Sequence, residues 1–220
     1  MTTHIKAIIF DLDGTLLNTI DDLADSMNRV LRQKGFPTRG INSYCQFVGA
    51  GSLDLTKRSL PQPESSQESL VTECHQLFLD DYASNWNNQT TPYPGIPEML
   101  SSLQDNKIKS AILSNKPHAA TLRCVRELLS QWHFEITMGQ QPVIPKKPDA
   151  TAALDIMSQL SVTPDQCLMV GDTAIDIETA KNALIKSVGV LWGFRPREEL
   201  EGARADYIIE TPDELIQLIQ

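Results

Sequence analysis

The chain has 220 residues, 41% of them hydrophobic, and a formal net charge of −9. That length fits a domain of ordinary size with a smaller one beside it, and the composition can bury a sizeable core. The charge argues against non-specific nucleic-acid binding and against an anionic membrane surface, while one local cationic site is enough for a small anionic substrate.

The first apolar run, "IKAIIF", spans only residues 5–10 before Asp11 interrupts it, too short for a signal-peptide core or a membrane span. A soluble cytoplasmic protein is expected. The run is β-branched with little alternation, the pattern of a strand covered on both faces. A helical period follows in Ile20, Leu23, Ala24, Met27, Val30 and Leu31, and Gly35 with Pro37 ends it. Further helical stretches lie at 52–60 and 66–84, with no convincing strand among them. "QTTPYPGIPEML" (89–100) is a stiff, proline-rich return. Helical patterns at 96–104, 118–129 and 150–160 then alternate with strand-like runs at 108–113, 134–139, 166–171, 187–192 and 206–210. That alternation implies a parallel sheet with helices on both faces, a three-layer Rossmann-like α/β core. The expected division is core 1–15, an inserted helical cap 16–89, and core 90–220.

Cys45, Cys74, Cys124 and Cys167 form no CxxC and no metal-ligand spacing with histidine, so they are read as buried or free thiols.

Chemistry gathers at the strand ends. In "IIFDLDGTLL" (8–17), Asp11 and Asp13 are two residues apart, so in extended chain both face one side. Open α/β sheets bind ligands just beyond such carboxyl ends. Two carboxylates a few ångströms apart repel by roughly 4 kcal/mol at an effective dielectric of about 20, and a hard divalent cation would offset that. Gly14 permits a tight turn and close backbone approach to an anion. The plain alternative is an Asx turn ending a strand.

"AILSNKP" (111–117) brings Ser114 and Asn115 to a second strand end, as phosphate donors or as a helix cap. "PKKPDA" (145–150) places Lys147 before an expected helix start, where a cation and helix N–H groups meet an anion, or where two lysines are simply solvated. "LMVGDTAIDIETAKNA" (168–183) ends a third strand with Gly171-Asp172. Asp176 either supports a metal site or caps the helix, since Thr173-x-x-Asp176 has capping-box form.

In this order these stretches resemble the haloacid dehalogenase superfamily of phosphotransferases. The matching residues are Asp11-x-Asp13-Gly14-Thr15, Ser114, Lys147 and Gly171-Asp172-x-x-x-Asp176, across the whole chain. "DLDGTLLNTIDDL", "FVGAGSLDLTKRSLP" (47–61), "YPGI" and "SNKP" resemble its phosphoglycolate phosphatase group. Three positions depart from that group: Ser114 where threonine is usual, Ala150 in place of a second proline, and a missing glycine around Leu184.

The resemblance implies that Asp11 attacks phosphorus to form an aspartyl phosphate and that Asp13 shuttles the proton. It implies Mg²⁺ held by the Asp11 carboxylate, the Asp13 carbonyl and Asp172, with Asp176 in support. Lys147, Ser114, Asn115 and the backbone at Gly14 and Thr15 would balance the phosphate charge. The cap loop Gly49, Ala50 and Gly51 would contact the organic part of the substrate, and Lys116 would pair with a substrate carboxylate. The partner expected is a small phosphorylated metabolite, with no nucleic acid and no membrane, for a monomer or homodimer. The rival readings are a β-phosphoglucomutase-like mutase, a pyrophosphatase or nucleotidase of the same superfamily, and a phospho-accepting signalling receiver.

Overall fold

The structure is a computed structural model that describes residues 4–219. In chain order, β1 (Ala7–Phe10) is followed by the short β2 (Leu17–Asn18) and by α1 (Ile20–Gln33), α2 (Ile41–Phe47), α3 (Ser52–Ser59) and α4 (Glu68–Asn85). The chain returns through β3 (Thr91–Pro92) to α5 (Ile96–Asp105), β4 (Lys109–Pro117), α6 (His118–Leu128), β5 (Ile136–Gln140) and α7 (Thr151–Leu160). It closes with β6 (Cys167–Gly171), α8 (Ala174–Asn182), β7 (Lys186–Val190), α9 (Arg197–Gly202), β8 (Tyr207–Ile209) and α10 (Pro212–Ile219).

Six strands form one parallel sheet in the order β5-β4-β1-β6-β7-β8. The chain builds outward from β1 through β4 to β5, then crosses back to β6 on the other side. That reversal leaves a crevice outside the carboxyl ends of β1, β4 and β6, where open α/β sheets take their ligands. Because strand side chains alternate, Ala7 and Ile9 join Ala111, Leu113 and Met169 on one face, packed against Ala153, Ile156, Met157 and Leu160 of α7 and Ala180 of α8. Ile8 and Phe10 are fully buried on the opposite face. Helix α5, which shares no residue with that cluster, packs on β4 and α10 through its buried stripe Ile96, Met99, Leu100 and Leu103. Each such aliphatic side chain contributes about 1.5–3 kcal/mol by leaving water.

The chain folds as two compact units, one running to Leu17 and resuming at Pro92, the other Asn18–Thr91. In the second unit, α1 ends where expected: Gly35 takes a φ of 74°, and the Phe36 amide donates to the Leu31 carbonyl. The buried Asn28 of α1 joins α2 to the chain before it. Its Oδ1 accepts from Tyr44 Oη at 2.8 Å and from the Arg39 amide at 2.9 Å.

Several elements differ from the sequence reading. Helix α2 was not anticipated, because "INSYCQF" is one short turn-pair with a single buried residue, Tyr44, and so carries no period. The run expected to end at residue 113 continues as β4 to Pro117, with a register shift against β5 between Leu113 and Pro117. The run at 187–192 leaves the sheet after Val190. Lys147 precedes α7 as expected, and that helix begins at Thr151, one residue later than its pattern suggests. Among the described residues, no helix is long and apolar enough to cross a membrane.

Candidate active site

The end of β1 holds Asp11 at the centre of the crevice. Its amide still belongs to the sheet, donating to the Val170 carbonyl at 2.9 Å. The chain then turns on Leu12, whose carbonyl accepts from the amides of Leu16 and Leu17 at 3.0 Å. Gly14 sits in this turn at a φ of 87°, and a Cβ there would meet Asp172 Oδ2 at 2.4 Å. Glycine is therefore required twice over, by backbone sign and by the nearness of Asp172.

Asp172, at the end of β6, is fully buried. Its Oδ1 accepts from Thr15 Oγ1 at 3.2 Å and its Oδ2 from the Phe194 amide at 2.8 Å. Asp176 is buried on α8 and performs the capping expected of it: its Oδ2 accepts from the Thr173 amide at 3.1 Å and from Thr173 Oγ1 at 2.8 Å. Its other oxygen accepts from Lys147 Nζ at 2.6 Å. Capping thus engages one oxygen of Asp176 and Lys147 the other. A Cβ at Gly171 would lie 2.2 Å from Asp176 Cγ, so that glycine makes room for the carboxylate.

Asp11, Asp172 and Asp176 each place a carboxylate oxygen within 4.8 Å of the others. Lys147 Nζ lies 2.9 Å from Asp11 Oδ1, an ion pair without hydrogen-bond geometry, so this buried oxygen has no hydrogen bond. Burial pushes Asp11 up to about 6, against the pull of Lys147 and with the help of Asp176. Burial, then Asp176 and Asp11, hold Asp172 well above the usual carboxylate range, against the Phe194 amide and the Thr15 hydroxyl. Burial would lower Lys147, but Asp11 and Asp176 outweigh it and raise it. Buried all-oxygen donors, crowded and in one case unsatisfied, fit a hard divalent cation.

Asp13 stands apart from this cluster. Both its oxygens lie 3.1 Å from Lys116 Nζ. Lys116 is buried, contrary to the solvated lysine that a lone cation at a strand end suggests. Ser114 is buried beside it, its Oγ accepting from the Lys116 amide at 3.3 Å.

Three residues expected at the substrate are committed inside the protein. The Gly14 amide donates to the Leu17 carbonyl at 2.8 Å. The Thr15 amide donates to the Leu12 carbonyl at 3.3 Å, and its hydroxyl serves Asp172. Asn115 grips the main chain of Lys147 on both sides, donating from Nδ2 to its carbonyl at 3.0 Å and accepting at Oδ1 from its amide at 2.8 Å. This clamp turns Lys147 inward while Lys146 stays exposed. The loop Gly49, Ala50 and Gly51 lies in the helical unit, with φ of 118° at Gly49 and 98° at Gly51.

The sequence reading passed over the segment after β7. Trp192 Nε1 donates to the Thr15 carbonyl at 2.9 Å, and a Cβ at Gly193 would lie 2.3 Å from Asp172 Cβ. The only sequence signal is an aromatic–glycine–aromatic triplet, "WGF", following a core strand.

A profile of the haloacid dehalogenase-like hydrolases matches residues 8–190. The phosphoglycolate phosphatase of Pseudomonas putida is 32% identical over 212 residues, covering 93% of this chain and 76% of that one. That of Aquifex aeolicus is 29% identical over 215 residues, covering 98% and 97%. Among solved structures, a Lactobacillus delbrueckii protein predicted to be a phosphoglycolate phosphatase superposes with a TM-score of 0.91 at 29% identity, covering 99% of both chains. The chain belongs to the haloacid dehalogenase-like hydrolase family. Within it, the likeness is to phosphatases, hydrolases of phosphoric monoesters.

Proposed function

We propose that this chain is a Mg²⁺-dependent phosphatase of small phosphate monoesters, with 2-phosphoglycolate as its substrate, working through an aspartyl phosphate on Asp11. The observation that carries the reading is the setting of Asp11: a buried carboxylate between the Lys147 ammonium and two further carboxylates, with Asp13 two residues on. The names of its relatives support the choice of substrate.

Asp11 attacks phosphorus, so that an Asp11 O–P bond forms as the ester O–P bond breaks. Asp13 gives its proton to the departing alkoxide oxygen and then takes one from the attacking water. Water adds to phosphorus, the Asp11 O–P bond breaks, and inorganic phosphate leaves. Lys147 holds positive charge beside Asp11 while the phosphate dianion approaches, and the Ser114 hydroxyl donates to a phosphate oxygen. Asn115 orients Lys147, and Thr15 orients Asp172. Mg²⁺ would be held by the Asp11 carboxylate, the Asp13 carbonyl and Asp172, with Asp176 in support. When bound, it supplies Lewis-acid stabilisation of the transferring phosphoryl oxygens.

The test is phosphate release from 2-phosphoglycolate, glucose 6-phosphate and pyrophosphate, in Mg²⁺ and in excess chelator. Turnover of 2-phosphoglycolate that is highest of the three and lost on chelation is expected. Full activity in chelator removes the metal from the mechanism. A preference for either competitor removes the substrate assignment and leaves the phosphatase.

A further inference from the structure

Three hydrogen bonds beside the crevice close into a ring. Trp192 Nε1 donates to the Thr15 carbonyl at 2.9 Å, the Thr15 hydroxyl to Asp172 Oδ1 at 3.2 Å, and the Phe194 amide to Asp172 Oδ2 at 2.8 Å. Trp192 and Phe194 lie on one short segment, so the ring joins the turn after β1, the end of β6 and the chain leaving β7. That segment starts from the sheet, where the Leu191 amide donates to the Ile209 carbonyl of β8 at 3.0 Å. Between the two donors, Gly193 lies so near that a Cβ would come within 2.3 Å of Asp172 Cβ and 2.5 Å of the Gly14 carbonyl oxygen. The Asp172 carboxylate is therefore walled by main chain and held by one donor at each oxygen. An ionised carboxylate has about four acceptor sites, so both oxygens keep capacity for a cation. A ligand fixed in this way loses little freedom when a metal binds, and affinity gains accordingly.

We propose that Trp192 is a positioning residue for the metal site, holding Thr15 by its carbonyl so that the Thr15 hydroxyl fixes Asp172. The inference rests on Asp172 as a Mg²⁺ ligand in the reading above, and it adds a residue that acts only through others. Without the indole N–H, the buried Thr15 carbonyl loses this donor. The turn is then free to shift, and Asp172 must be ordered at the moment of binding.

The experiment titrates Mg²⁺ into substrate-free protein by calorimetry, in wild type, Trp192→Phe and Trp132→Phe. Phenylalanine keeps an aromatic ring and removes the donor. Trp132 also donates its Nε1, to Ser101 Oγ at 3.0 Å, but takes no part in the ring. Kd should rise about tenfold in Trp192→Phe, the low end for loss of groups behind metal ligands. It should stay unchanged in Trp132→Phe. An unchanged Kd in Trp192→Phe overturns the proposal, and so does an equal rise in both variants. In Thr15→Val the hydroxyl is gone, and adding Trp192→Phe should then change Kd by less than about twofold. Full additivity overturns the route through Thr15. Wild type that takes up no Mg²⁺ removes the metal reading together with this one, whereas the outcomes above leave the metal reading standing. Should Trp192→Phe not fold, wild type decides alone, because coupling is reciprocal. Mg²⁺ should slow hydrogen exchange at the Trp192 indole N–H by about tenfold, with Trp132 as the internal reference. An exchange rate that Mg²⁺ leaves unchanged overturns the proposal.

Discussion

The Asp22 carboxylate is a buried acceptor for the returning chain at Thr90. Asp22 Oδ2 accepts from the Thr90 amide at 2.8 Å and from Thr90 Oγ1 at 2.7 Å, and also from the Gln89 amide at 3.0 Å. The start of α1 and the end of the helical insertion are thereby tied together within one unit, 68 residues apart in sequence. Asp22→Ala leaves these donors buried without an acceptor and should cost about 2–4 kcal/mol. Asp22→Asn keeps one acceptor oxygen and should cost less. Urea denaturation of the three proteins ranks them, and an alanine variant as stable as wild type would show that water replaces the carboxylate.

Asn115 acts on Lys147 through the main chain, so its removal should damage turnover more than binding. Asn115→Ala is expected to lower kcat by about 10–100-fold, the scale set by misplacing a catalytic group by about an ångström. Lys147→Ala should lower it further, and Lys146→Ala should do little, because Lys146 points to solvent. Equal effects of the two lysine variants would place the cation of the site elsewhere.

Metal binding and pH are linked through Asp11. Its ordinary value of 3.8 rises to about 6 in the fold. A raised carboxylate keeps its proton when folded at a pH where the unfolded chain has lost it. The stability this contributes is full below about 3.8 and is lost as pH rises through about 6. Asp172, raised by the same burial, acts in the same direction. A divalent cation competes with those protons and relieves the repulsion that replaces them. Mg²⁺ should therefore raise Tm more at pH 7.5 than at pH 5, as read by calorimetry. A shift that is equal at both pH values, or larger at pH 5, would separate metal binding from these carboxylates.

Leu184 follows the end of α8 in a left-handed conformation, at a φ of 60°. Its amide donates to the Lys181 carbonyl and that of Ile185 to the Ala180 carbonyl, each at 3.0 Å, the Schellman arrangement that favours glycine. The side chain is 82% exposed, so little packing opposes the change. Leu184→Gly should stabilise the protein by about 0.5–1 kcal/mol, since an L side chain in this region costs about 1–2 kcal/mol and glycine gives part of that back in chain entropy. Guanidinium denaturation checks the sign, and destabilisation would reveal packing by Leu184 in solution.

The parallel α/β core was legible in the sequence because buried strands are continuous β-branched runs and their covering helices keep a 3.6-residue period. The strand-end groups at Asp11, Ser114 and Asp172 were legible for a related reason. A carboxylate or hydroxyl directly after an apolar run stands out against its neighbours, and short-range chain geometry alone carries it to the sheet's edge. Tertiary structure decided what each group touches. Asn115 reads equally well as a phosphate donor or a cap, and only the approach of the loop at Lys147 turns it into a clamp. Lys116 reads as solvated until Asp13, 103 residues away in sequence, takes its charge. Gly193 and the Phe194 amide escape notice because backbone donors carry no residue signature, and their value lies in closing on Asp172. Local patterning reports residue type and period, while partnership depends on where distant segments cross, and in this fold they cross where the sheet reverses beside β1.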